Sequence, residues 1–111
     1  MSVQETQRLL AELRQLLTTY SVEPWATRIA HIEARFRSAV ASDKEWAMRS
    51  AFADVARLLH GGPGTLHKVV IRQTLGDAIA ESDEAAANAR LSGLLAELSR
   101  AVDQSTESTL A

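Results

Sequence analysis

The chain has 111 residues with 12 basic and 14 acidic side chains, a formal net charge of −2, 46% hydrophobic residues and no cysteine. That length holds one hydrophobic core, and the composition excludes a disordered chain, an overall basic nucleic-acid coat, a disulfide framework and thiolate chemistry. The opening Met1-Ser2-Val3-Gln4-Glu5 lacks a basic segment followed by an apolar run, and no stretch approaches the ~18 apolar residues of a membrane span, so the expectation is a cytoplasmic protein.

Helical spacing organises the first sixty residues. Leu9, Leu13, Leu16, Leu17 and Tyr20 recur at three- and four-residue steps, which predicts a first amphipathic helix, with Glu5 and Arg8 as an i,i+3 pair. A second helix is expected to begin near Pro24, whose fixed φ suits a first turn, and to bury Trp25, Ile29, Ile32, Phe36 and Val40. Ser42-Asp43-Lys44-Glu45 has the spacing of a capping box for a third helix. That helix presents Met48, Phe52, Val55 and Leu59 on one face, with Ala51 and Leu58 beside it. Gly61 is its natural left-handed stop, and Pro63 blocks continuation.

After Gly61-Gly62-Pro63-Gly64 the sequence is ambiguous. Val69-Val70-Ile71 favours extended backbone, whereas Thr65 is able to cap a short helix. The last helix is clearer: Ser82 caps it, Asp83 and Glu84 complement its dipole, and Leu91, Leu94, Leu95, Leu98 and Val102 form its stripe. The expected fold is therefore all-α, a single-domain bundle of four main helices over residues 1–103, with an irregular Gly-rich connection before the fourth. Residues 104–111 are polar and aperiodic and read as a flexible tail.

Candidate sites are sparse. His31, His60 and His67 lack metal-ligand spacing, so no metal and no cofactor is expected. The glycine segment follows a helix and lacks a Lys-Ser/Thr pair, so it reads as a turn rather than a phosphate loop. Residues 65–76, with His67, Lys68, Arg72 and Gln73, outline a helix-turn-helix and supply an alternative reading as a small DNA-binding or antitoxin-like regulator. Only two formal positive charges lie there, which argues against phosphate-dominated binding. Arg28, His31 and Arg35 share a face of the second helix that, with Glu33 nearby, reads as solvated surface.

Two features suit a protein partner. Charge is uneven: residues 77–111 carry seven acids against Arg90 and Arg100, with the densest run from Asp77 through Glu81 and Asp83 to Glu84. Such a run favours a basic partner by raising the association rate. Trp46 is offset from the third helix's apolar face and aligned with Arg49, the composition of an interface anchor.

Trp25-Ala26, Gly61-Gly62-Pro63-Gly64-Thr65-Leu66-His67-Lys68-Val69-Val70 and Asn88-Ala89-Arg90-Leu91 together resemble a family of small, uncharacterised, all-helical bacterial proteins. Its members carry a Trp-Ala pair, a Gly-Gly-x-Gly-Ser/Thr-Leu segment and an Asn near the start of the last helix. The resemblance spans residues 9–103, with Pro63 in place of Met and His67-Lys68 in place of Asn-Asp. Proteins of this character are similar to toxin-immunity proteins. The resemblance implies a non-enzymatic module that binds and occludes a cognate bacterial toxin, a basic toxin domain being the partner that the acidic run fits.

Overall fold

Each of the four amphipathic stretches forms a helix in the computed structural model, which describes residues 2–60, 71–72 and 77–110. The helices are α1 (Ser2–Thr19), α2 (Trp25–Ser42), α3 (Glu45–His60) and α4 (Glu84–Leu110). A 3₁₀ turn, Glu81–Asp83, runs directly into α4. Among the described residues there is no strand, and no helix is long and apolar enough to cross a membrane.

The chain runs up and down. Arg14 of α1 reaches Glu33 of α2, Arg35 of α2 reaches Asp54 of α3, and Arg90 of α4 lies 3.7 Å from Glu12 of α1. Sequential helices are thus antiparallel, and α4 packs on both α3 and α1 to close the ring. The molecule measures 45 × 25 × 22 Å. Its long axis reflects α4, whose 27 residues span about 40 Å at 1.5 Å per residue. The helix continues through positions 104–110, where the sequence pattern loses its period.

The core follows the predicted stripes, with one rotation. Leu9, Leu13 and Leu17 of α1 are buried with Leu10, and all five predicted residues of α4 are buried. In α3, Ala51, Val55 and Leu59 are buried while Met48, Phe52 and Leu58 are half-buried against the core. Phe52 meets Phe36 edge to face at 5.1 Å. In α2 the buried face is Ala26, Ile29, Glu33, Phe36 and Ala39. Trp25 and Ile32 are only half-buried, and Val40 is exposed. The face is turned about one residue from the largest side chains because α2 packs against α1 on one flank and α3 on the other.

Several local expectations change at the helix ends. Ser42 is the last residue of α2 rather than the first member of a capping box. Its hydroxyl donates to the Ala39 carbonyl at 2.7 Å and accepts weakly from the Lys44 N–H at 3.3 Å. Asp43 turns the chain in the left-handed region at φ 56°, which a short polar side chain tolerates. Pro24 precedes α2, whose start is held instead by the Glu23 carboxylate accepting from the Thr27 hydroxyl at 2.8 Å. Ser82 lies within the 3₁₀ turn, and Arg8 pairs with Glu12 at 3.1 Å rather than with Glu5. The expected positive φ at Gly61 or Gly62, and the conformation of 65–70, lie outside the described residues.

Candidate functional site

The acidic run sits on a segment stitched down by polar side chains. Asn88, just over one turn into α4, accepts from the Ile71 N–H at 2.8 Å through Oδ1. Its Nδ2 donates to the Ile71 carbonyl at 2.9 Å and to the Glu84 carbonyl at 2.8 Å. One amide side chain thereby satisfies both backbone groups of a fully buried residue. Asn is a poor helix former because its amide competes for backbone groups, and here that competition fastens a neighbouring segment.

Two further bonds complete the fastening. The Asp77 carboxylate accepts from the Arg72 N–H at 2.9 Å, and the Ala78 N–H donates to the Tyr20 carbonyl at the end of α1 at 2.8 Å. Ile79 then enters the core. Asp77 is therefore half-buried and already engaged. Glu84, the first residue of α4, is half-buried and also interacts. Glu81 and Asp83 differ. Both are exposed on the 3₁₀ turn, and neither side chain has a hydrogen bond or ion pair among the described residues.

Trp46 and Arg49 lie at the opposite end of the bundle, on the first turns of α3. Both are exposed, Trp46 at 65%. The Lys44 ammonium lies 5.9 Å from the Trp46 ring centre. Trp46 heads a shallow groove of ≈ 440 Å³ between α2 and α3, with the buried Ala39 and Ala51 at its base and Ala34, Ser38, Ala47 and Ser50 along its sides. At its far end Asp54 is shared by Arg35 and Arg57, each at 3.3 Å. Because α3 and α4 are antiparallel, the acidic turn lies beyond the C-terminal end of α3. The separation is then about 20 Å or more along a helix axis, beyond two Debye lengths at physiological salt. The two candidate surfaces do not form one patch.

The basic face of α2 is solvated as expected at Arg28, His31 and Arg35, with Arg28 stacked over Trp25 at 5.0 Å. Glu33 is not part of it. The residue is 2% exposed, and its carboxylate is held by Arg14 of α1 and by Arg37 one turn further along α2. Helical geometry places position 33 between Ile29 and Phe36 on the packed face, a signal present in the spacing of the chain. Both arginines remain partly exposed, so the pair lies at the edge of the core with its cations hydrated.

Among the described residues no group of three or more His, Asp or Glu is placed to hold a metal ion. His67, Lys68 and Gln73 fall outside them. Of residues 65–76 only Ile71, which is buried, and Arg72, which is exposed, are described. No protein-family model matches the chain, and no curated protein or solved structure matches it either.

Proposed function

We propose that the chain is a non-enzymatic protein-binding module of the immunity type, which binds a cognate bacterial toxin in the cytoplasm and occludes its active cleft. The observation that carries this reading is the pair Glu81 and Asp83, exposed and unpaired among the described residues on a turn whose flanks are fastened to the bundle. Nearby carboxylates are engaged in holding the fold, whereas these two are left to the solvent. A fixed turn loses little conformational freedom on binding, and paired negative charges steer a basic toxin domain toward it.

The test is functional. The open reading frame beside this chain's gene is expressed in a bacterial host with and without the chain. Growth arrest relieved by co-expression supports the reading, and a neighbour whose expression is harmless, or whose toxicity the chain leaves unchanged, contradicts it. With a toxin in hand, Glu81→Lys with Asp83→Lys slows association at low salt, and the difference narrows as salt rises.

A further inference from the structure

The toxin reading uses the acidic turn and leaves without a role the place where Arg35, Asp54 and Arg57 meet across the α2–α3 seam. Asp54 is set into that seam, its side chain 14% exposed, and it takes Arg35 of α2 at Oδ2 and Arg57 of α3 at Oδ1, each at 3.3 Å. Both arginine side chains are more than half exposed, and neither makes another hydrogen bond or ion pair among the described residues. One carboxylate thus draws two like charges together. Most of the five N–H donors on each guanidinium stay open to water.

The charge balance at this place is positive. α2 and α3 contain three acids, Glu33, Glu45 and Asp54. Glu33 is buried on the α1 side between Arg14 and Arg37, and Glu45 lies nine residues before Asp54, about 13 Å along α3. Around Glu45 the signs are mixed, with Asp43 beside Lys44 and Arg49. At Asp54 two guanidinium groups face one carboxylate, which leaves a surplus of one positive charge. His31, exposed one turn before Arg35 on α2, adds an imidazole donor to the same end.

We propose that Arg35 and Arg57 bind the phosphate group of a small molecule, with Asp54 as the positioning residue beneath them. A phosphate group presents three terminal oxygens and close to two negative charges, enough for one fork from each helix. A carboxylate offers two oxygens and one charge, which Asp54 already supplies. A surplus of one charge is too small for a nucleic-acid backbone, which takes several cations along its length. The site shares no residue with the acidic turn, so its test and the toxin test stand apart.

Proton–nitrogen correlation NMR of the arginine Nε–H groups tests the proposal, as inorganic phosphate replaces chloride at neutral pH and constant ionic strength. Arg35 and Arg57 shift together along one saturating curve, while Arg8 and Arg90, on α1 and α4, do not saturate. Arg57→Gln removes saturation at Arg35, and Arg35→Gln removes it at Arg57, each variant being checked for wild-type helicity by circular dichroism. Arg28→Gln, two turns before Arg35 and with its guanidinium held over Trp25, leaves the midpoint within about twofold. Adenosine monophosphate distinguishes the source of the phosphate: a lower midpoint than inorganic phosphate assigns the site to an organic ester, and an equal or higher one to free phosphate. No saturation at Arg35 and Arg57 with either probe, equal saturating shifts at Arg8 and Arg90, or saturation kept in Arg57→Gln or lost in Arg28→Gln overturns the proposal.

Discussion

The two ends of the bundle differ in how much backbone their side chains satisfy. At the end where α1 finishes and α4 begins, the connection arrives with backbone groups that no helix satisfies, and Asn88 and Asp77 bond to them. At the other end α2 and α3 are joined by the two residues Asp43 and Lys44, so little backbone is left over. There the distinctive side chains, Trp46 and Arg49, face water. Asn88 and Asp77 are thus drawn into the fold at one end while Glu81 and Asp83 beside them stay in solvent, and at the tight turn Ser42 is engaged while Trp46 and Arg49 are exposed.

This contrast yields graded expectations, beginning with the core that joins the two ends. Phe36→Ala removes a fully buried ring and its edge-to-face partner, and lowers stability by about 3–5 kcal/mol in urea unfolding. Asn88→Ala leaves both backbone groups of buried Ile71 without their partner and costs about 2–3 kcal/mol. If it costs as little as a surface substitution, the fastening is incidental and the contrast between the ends fails. Gly93→Ala sharpens the picture of α4 as a continuous rod. A Cβ there meets nothing within 4 Å, so the substitution stabilises by about 0.5–1 kcal/mol. Trp46→Ala removes an exposed ring whose cation partner, Lys44, is itself in solvent, and changes monomer stability by less than about 0.5 kcal/mol.

Most of the fold was legible in the apolar spacing, because the helical period of leucines in α1 and α4 allows only one buried face. In α2 the same rule needed neighbours as well. Trp25, Ile32 and Val40 are the larger side chains, yet flanking by α1 and α3 turns Ala26, Glu33 and Ala39 inward. Spacing places Glu33 on the packed face and Arg37 one turn along, but its second cation, Arg14, is nineteen positions away, a relation no local pattern contains.

The acidic run shows the same division. Spacing and charge located Asp77, Glu81, Asp83 and Glu84 but did not separate Asp77, whose carboxylate accepts from the Arg72 N–H, from Glu81 and Asp83, whose side chains have no partner among the described residues. The offset of Trp46 on α3 set it apart from the apolar face but did not decide between the margin of the core and the surface, where the ring lies. The grip of Asn88 was not, because its partner, Ile71, comes from the preceding connection.

Thermal unfolding of Asn88→Ala and Trp46→Ala, measured side by side at a concentration where the chain is monomeric, tests the contrast between the ends most directly. The account predicts that Asn88→Ala lowers Tm by about 10 °C or more while Trp46→Ala leaves it within about 2 °C of wild type. Equal shifts, or a larger loss from Trp46→Ala, would contradict it.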